Sequence, residues 1–249
     1  MAERNDSTGP DWGDVFPSVV DGWLFSDVPH QLPPTAVLPL ENPDLYDSAV
    51  WEEKTEVEQR YRSATIVRYR GTRLCVLSPK LGAPAAAMAL EAAAARGVRT
   101  VLGLGYCGAI SPELTCGDLL VPTGAVSRDG TTAAYCPDGY PAVADHGLVT
   151  ALHRAATDPL HDGLVCSVDA VYTQDSALVE QCRRRRVAGL DMETSAVLTV
   201  ARLRGVRAAT VLVASDHPGS GALTEGAALA RGTRRALDLA LEVVTGDLS

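Results

Sequence analysis

Short apolar segments alternate with helix-forming segments along most of this chain, and this alternation limits the possible folds more than any other feature. The strands predicted from these runs are Ala36–Leu40, Ala64–Tyr69, Leu74–Leu77, Thr100–Leu104, the run GDLLVPTGAV, Leu164–Ala170, the short run VAGL and Ala208–Ala214. The helices predicted between them are the segment GAPAAAMALEAAAARG, Gly147–Ala156, Ser176–Arg186, Thr194–Arg204 and a last helix from Thr224 to about Val244. We therefore predict an N-terminal arm over residues 1–34 and one α/β domain over 35–249. The domain is expected to have a central mixed, mostly parallel sheet flanked by helices.

Charge and composition narrow the class of protein. The 249 residues carry a net charge of −9, which argues against a nucleic acid or an anionic membrane surface as the main partner. No apolar run approaches the roughly 20 residues that cross a bilayer, and the polar start MAERNDSTGPDWGDVF is unlike a signal peptide. The six cysteines form no C-x-x-C pair, so neither zinc nor a disulfide framework is predicted. We expect a cytoplasmic protein with reduced thiols, no metal and no cofactor.

The segment GLGYCG, residues 103–108, follows a predicted strand and matches the glycine pattern of dinucleotide-binding turns. Such a turn must open a helix, because the pyrophosphate binds at the helix N-terminus. The residues that follow, AISPELTCGD, contain a proline and a Gly-Asp turn, which do not predict a helix. We interpret these glycines as positions where a ligand or another strand approaches the backbone closely.

Two acidic residues lie where strands end and the core is being built. Asp216 follows the apolar run ATVLVAS, and Glu193 follows VAGL at the start of a predicted helix. Taken singly, Asp216 has the alternative interpretation of a helix cap or a turn residue, and Glu193 that of a helix-start residue. Together at two strand ends of one sheet, they predict a shared pocket. There one carboxylate holds sugar hydroxyls while a partly desolvated aspartate keeps a proton to donate.

These residues also carry a family resemblance. The stretches GYCGAISPELTCGDLLVPTGAVSRDGTT and GLDMETSAVLTVARLRGVRAATVLVASDHP resemble the nucleoside phosphorylase superfamily, which includes purine nucleoside and uridine phosphorylases and methylthioadenosine nucleosidase. The resemblance runs from about Ala36 to the C-terminus. It implies an enzyme with a nucleoside phosphorylase-like fold that cleaves a nucleoside's N-glycosidic bond, with a purine as the leaving base in the most similar relatives.

The resemblance also implies roles for individual residues. Met192 would pack on the ribose, and Glu193 would bind its 2′- and 3′-hydroxyls. Asp216 would protonate the leaving base, with Ser215 helping to place it. Tyr172 falls where the family has an aromatic residue near the base, although Val171 replaces a second one. The remaining substrate-binding positions, on the pocket floor, are Gly105, Tyr106 and Gly108.

The phosphate site departs from the family pattern. In the first loop, LENPDL, Glu41 stands where the resemblance implies a glycine and Leu45 where it implies an arginine. A second implied arginine is Gly103. Because a glutamate repels phosphate and uncharged groups do not replace cations, we expect hydrolysis, with Glu41 as the catalytic base that activates water.

Phosphorolysis remains the alternative, with Arg60, Arg62 and Lys80 as possible anion-binding residues. A non-catalytic nucleoside binder and a repurposed enzyme stay open as well. The expected partners are a small-molecule nucleoside, phosphate in the case of phosphorolysis, and further copies of the same chain in a homodimer or homohexamer.

Overall fold

One mixed sheet organises the part of the chain that the computed structural model describes, residues 25–40, 48–78, 80–136, 139–218 and 226–246. Its ten strands are β1 (Thr35–Pro39), β2 (Glu56–Arg60), β3 (Ala64–Tyr69), β4 (Thr72–Leu77), β5 (Thr100–Ala109), β6 (Leu119–Arg128), β7 (Ala142–Val143), β8 (His161–Val168), β9 (Val187–Asp191) and β10 (Arg207–Asp216). The α-helices in the same ranges are α1 (Ser48–Glu52), α2 (Ala83–Ala95), α3 (Gly130–Tyr135), α4 (His146–Ala155), α5 (Ser176–Arg184), α6 (Thr194–Leu203) and α7 (Gly226–Thr245). Val171–Thr173 forms a short 3-10 helix.

The strand order is β10-β6-β8-β9-β5-β1-β4-β3-β2, with β7 on β6. Strand β5 also pairs with β10, so the strands β10, β6, β8, β9 and β5 close into a ring. Pairings of β1 with β4 and β5, β5 with β10, and β8 with β6 and β9 are parallel, and the other described pairings are antiparallel. The mixed α/β fold is confirmed. Parallel and antiparallel pairings are equally frequent among these strands. The antiparallel pairs β2–β3, β3–β4 and β6–β7, together with the opposite direction of β6, β8 and β9 relative to β5 and β10, offset the parallel pairs.

The predicted elements are present with shifted ends. The hairpin β3–β4 turns at Arg70 and Gly71, both with positive φ. Helix α2 begins after Gly82 (φ 86°), carries Pro84 in its first turn and is followed by Gly97 (φ 93°), as its proline and glycines predicted. The predicted start of the last helix, Thr224, lies outside the described residues.

Strand β5 is longer than predicted and contains the whole segment GLGYCG. No helix opens there, which agrees with the rejection of a dinucleotide turn. The additional residues have partners on neighbouring strands, because β10 pairs with β5 as far as Gly108 and β9 pairs with Gly108 and Ala109.

The described end of the predicted arm, residues 25–34, packs on the domain. Phe25 and Leu32 are buried, the Leu32 N–H donates to the Arg96 carbonyl, and the Arg96 guanidinium lies 5.5 Å from the centre of the Phe25 ring. The boundary at residue 34 stays a prediction. Among the described helices none combines the length and the apolar character that a bilayer crossing requires.

Candidate active site

The sheet brings the two strands that lead to the predicted acids to opposite sides of Gly108 in β5. Asp216, the last residue of β10, pairs with Gly108. On the other side Leu190 of β9 pairs with Gly108, and the chain then passes through Met192 to Glu193. Glu193 and Asp216 therefore follow two strands that both border β5, which is the arrangement that a shared pocket requires.

Glu193 is a buried carboxylate, only 1% exposed, just before α6. Its Oε1 accepts a hydrogen bond of 2.6 Å from the Gly82 N–H at the start of α2. It makes no side-chain cap to its own helix, so the helix-start interpretation does not describe its main contact. A carboxylate has about four acceptor positions, so the bond to Gly82 is compatible with binding a sugar diol as well.

Asp191 provides the helix cap that Glu193 does not. Its Oδ2 accepts a bond of 2.7 Å from the Thr194 N–H, and its Oδ1 accepts one of 2.5 Å from the Ser167 hydroxyl. Burial raises the pKa of Asp191 above its ordinary value, although the bonds from Ser167, Thr194 and Glu193 oppose that shift. The peptide that carries Met192 and Glu193 is thus fixed at a buried anchor.

A second buried acid extends this anchor. Asp129 caps α3 through a bond of 2.6 Å from the Thr132 N–H, and it accepts a short hydrogen bond from the Ser195 hydroxyl. The Ser195 N–H in turn donates to the Ser167 hydroxyl oxygen at 2.9 Å. We refer to five residues as the buried carboxylate network: Asp129, Ser167, Asp191, Thr194 and Ser195.

Sequence reasoning missed this network. A signal was present, because an acid stands three residues before a threonine at both Asp129–Thr132 and Asp191–Thr194, which is the spacing of a side-chain helix cap. Its burial was not visible in the sequence, because it depends on β6, β8 and β9 lying side by side.

Asp216 has a different environment from the network. It is half-buried, and its Oδ1 lies 2.7 Å from the Ser215 hydroxyl, which lies 3.2 Å from the Cys107 carbonyl oxygen. The hydroxyl donates to an ionised carboxylate. When the carboxyl carries a proton, the same hydroxyl accepts that proton's hydrogen bond and donates to Cys107 instead. Ser215 therefore suits both protonation states of Asp216.

The glycines of β5 face protein atoms. A Cβ at Gly103 would lie 2.8 Å from Thr210 Cγ2, and one at Gly105 would lie 3.0 Å from Leu40 Cβ. At Gly108 it would lie 2.5 Å from Pro218 Cγ. Of the two interpretations of these glycines, the approach of other strands and loops is the one that these contacts support.

Tyr106 lies on β5 between these glycines and reaches towards α7. Its hydroxyl is 3.2 Å from the Thr233 Oγ1 of that helix, and its ring is half-buried. The hydroxyl of Tyr106 therefore contacts helix α7, and its role on the pocket floor stays a prediction.

The three predicted anion-binding residues differ in their surroundings. Lys80 is half-buried, its N–H donates to the Pro39 carbonyl at the end of β1, and burial lowers its pKa below the ordinary lysine value. No ion pair joins its ammonium to a carboxylate of the described ranges. Lys80 precedes Gly82, the partner of Glu193, by two residues.

The two arginines lie on the outer hairpin region. The Arg60 guanidinium forms an ion pair with Glu52, and both side chains are about half exposed. Arg62 is exposed; its N–H donates to Asp27 at 2.6 Å, and its carbonyl accepts from the Ser78 hydroxyl at 2.8 Å. Arg62 is therefore beside the carboxyl end of β4, whereas the charge of Arg60 is already matched.

The residues predicted to contact ribose and base also separate. Met192 is half-buried between Asp191 and Glu193, and its predicted contact with the ribose stays a prediction. Tyr172 lies in the 3-10 helix and is 100% exposed in this single chain. The predicted catalytic base Glu41 and the neighbouring Leu45 lie outside the described residues. No group of three or more His, Cys, Asp or Glu in the described ranges is arranged to hold a metal ion.

Comparisons with known proteins show the family to which the chain is similar. The family described as the phosphorylase superfamily matches residues 36–245. The guanosine phosphorylase of Halorubrum lacusprofundi is 33% identical over 205 residues, which cover 78% of this chain and 85% of that protein. The uridine phosphorylase of Thermococcus kodakarensis is 34% identical over 182 residues, which cover 66% of this chain and 65% of that protein.

A solved structure shows the likeness of the fold in three dimensions. The crystal structure of uridine phosphorylase from Vibrio fischeri ES114 superposes with a TM-score of 0.75 at 30% identity, covering 86% of this chain and 92% of that one.

Proposed function

Because this chain is an enzyme that belongs to the phosphorylase superfamily, we propose that it cleaves the N-glycosidic bond of a nucleoside with phosphate as the attacking group. The observation that carries the proposal is the placement of two carboxylates of different character, Glu193 just after β9 and Asp216 at the end of β10, on two strands that both pair with Gly108. Guanosine is the first substrate to test, since the match to a guanosine phosphorylase covers most of both chains.

In this proposal the two acids act on different parts of the nucleoside. Glu193, held by Gly82 and by the network behind it, accepts hydrogen bonds from the 2′- and 3′-hydroxyls. A phosphate oxygen forms a bond to C1′ while the C1′–N bond breaks. The electron pair of the C1′–N bond goes to the base. The Asp216 carboxyl gives its proton to the departing base nitrogen, and Ser215 keeps the carboxyl oriented.

Phosphate is a better-supported attacking group than water. The relatives named above are phosphorylases, and this favours the alternative over the hydrolysis that the missing arginines led us to expect. Lys80 supplies the positive charge in the proposed anion site. It is half-buried at the end of β1, so its charge is less screened than that of a surface lysine.

The working form is proposed to be a homodimer or a larger homo-oligomer. Tyr172 is fully exposed, and Val171, Leu81 and Met88 are each more than 40% exposed. A second copy of the chain covering these side chains would bury apolar surface that is exposed in the single chain. Light scattering at assay concentration tests this, and an active monomer would contradict it.

The test of the reaction is product identity. The protein is incubated with guanosine, inosine, adenosine and uridine, each with and without phosphate, and the products are separated by chromatography. Phosphorolysis gives ribose 1-phosphate at a rate that saturates with phosphate. Free ribose at a phosphate-independent rate would restore hydrolysis and direct attention to Glu41. Binding without any cleavage would support a non-catalytic nucleoside binder.

A further inference from the structure

A cleft of about 980 Å³ begins directly beyond the candidate proton donor. Its wall includes His217, the residue after Asp216, and Ala109, the residue after Gly108. Ile110 and Val179 also line it, and both are buried. Pockets for drug-sized ligands have volumes of about 300–1,000 Å³, so this space exceeds what an unsubstituted purine or pyrimidine fills.

The cleft has a net positive rim. Helix α5 contributes Arg183, Arg184 and Glu180, which face the cleft together with His217. Two guanidinium groups and one carboxylate leave an excess of one positive charge, in a chain whose net charge is −9. Bases of ordinary nucleosides are neutral, so they do not require this pair of arginines.

The arginines are bound to a partner that a ligand can replace. Arg183 and Arg184 each make a single contact to Glu180, at 3.1 and 3.3 Å, and the three side chains are 46–72% exposed. Exposed ion pairs of this kind on one helix stabilise a protein very little. An incoming carboxylate can therefore take the place of Glu180 at small cost and form paired hydrogen bonds with guanidinium groups.

We propose that this cleft is a second part of the base subsite and accepts nucleosides whose base carries a carboxylate. The inference rests on the proposed function, since it places the base at Asp216. The substituent extends from the base past His217 over the apolar floor of Ile110 and Val179, and its carboxylate binds Arg183 and Arg184.

The experiment compares ligands that differ in one charge. Binding of 5-carboxymethyluridine and N6-(carboxymethyl)adenosine, and of the methyl ester of each, is measured by calorimetry at low ionic strength. For at least one ring type the acid should bind about 5- to 10-fold more tightly than its ester. In Arg183→Gln/Arg184→Gln this preference should disappear while the affinity for the ester is retained.

Two further variants separate a specific contact from general charge. Arg185→Gln/Arg202→Gln removes the same charge from exposed positions that do not line the cleft, and it should keep the preference. Glu180→Gln removes the competing carboxylate and should increase the preference severalfold. Equal binding of acid and ester, equal loss in both double variants, or no binding of any of these nucleosides would overturn the inference.

Turnover of unsubstituted nucleosides is measured in parallel, which separates the two proposals. Cleavage of guanosine or uridine without any preference for the acid would leave the proposed function standing and remove the inference. A preference for the acid in binding, with no cleavage of any nucleoside, would overturn the proposed function and would leave the cleft as a binding site for the carboxylate.

Discussion

The sugar side of the candidate site is built inside the core, whereas the base side lies at the surface. Glu193 and the buried carboxylate network are at most 4% exposed and are joined by hydrogen bonds among four different elements. Within the described ranges Asp216 has one side-chain partner, Ser215, and the next residue, His217, lines the cleft. Tyr172 is fully exposed.

This difference indicates at which positions substitutions can change the substrate specificity without disturbing the fold. A change in the network disturbs helix α6 and the sheet ring, because its members cap helices and join strands. A change in the cleft affects exposed side chains of α5. Substitutions that keep the protein folded should therefore keep its specificity for the sugar, whereas its specificity for the base can change.

The largest effect is expected at Asp216. Asp216→Asn should lower kcat by about 10²–10⁴-fold, because a general acid contributes that much, while the nucleoside still binds. Steady-state kinetics and calorimetry measure the two quantities. Asp162→Asn, an exposed acid at the start of β8, is the control and should be near-normal. Near-normal turnover in Asp216→Asn would exclude Asp216 as the general acid that protonates the leaving base.

The next effect is on stability and belongs to the sugar side. Asp191→Ala should lower the free energy of unfolding by about 2–4 kcal/mol, because the buried donors of Ser167 and Thr194 lose their acceptor. Asp175→Ala removes an exposed cap of α5 and should cost only about 1 kcal/mol. Urea denaturation measures the free energy of unfolding of both variants. Equal losses would contradict the view that the sugar side is part of the core and the base side is not.

Glu193→Gln examines sugar recognition directly. The variant should lose about 1.5–3 kcal/mol of binding or transition-state free energy for ribonucleosides, the cost of a hydrogen bond to a charged group. It should lose far less for the 2′-deoxy analogues, because these lack one hydroxyl of the diol. The two substrates are compared through kcat/KM. Equal losses for both would exclude Glu193 from the contact with the 2′-hydroxyl.

The smallest effect concerns the charge of Lys80. Burial lowers the Lys80 pKa, so the charged form that binds phosphate is lost as the pH rises, before an ordinary lysine titrates. The KM for phosphate should therefore increase severalfold at alkaline pH. Lys80→Arg should flatten this increase, because a guanidinium remains charged. Lys54→Arg, at a surface ion pair with Asp238, should leave the profile unchanged. A profile that is the same in Lys80→Arg would exclude Lys80 from the phosphate site.

Local patterns were sufficient to predict most of the fold. Glycine, proline and alanine in residues 82–97 predicted α2, and the apolar run before Asp216 predicted β10, because these signals act within a few residues. The strand β2, with the sequence EVEQR, was missed because it is exposed and charged. It forms because β3 offers it a backbone edge, and a single sequence does not show that edge.

In the candidate site, too, some features were predictable from local sequence and others depend on tertiary packing. Glu193 and Asp216 were predictable because each follows a recognisable strand. The contact between Glu193 and Gly82 joins residues 111 positions apart, and the cleft forms where α5 meets the ends of β5 and β10. These arrangements depend on tertiary packing, so neither periodicity nor spacing predicted them.

The close packing around Gly103 also limits the routes by which this sequence can change. The resemblance implies an arginine at this position, yet Thr210 and Leu40, which would meet a new Cβ at 2.8 and 3.1 Å, are both completely buried. A single Gly103→Arg step must displace core side chains before its guanidinium reaches any anion. An arginine at this position is thus inaccessible by one substitution, and it requires changes at Thr210 and Leu40 as well.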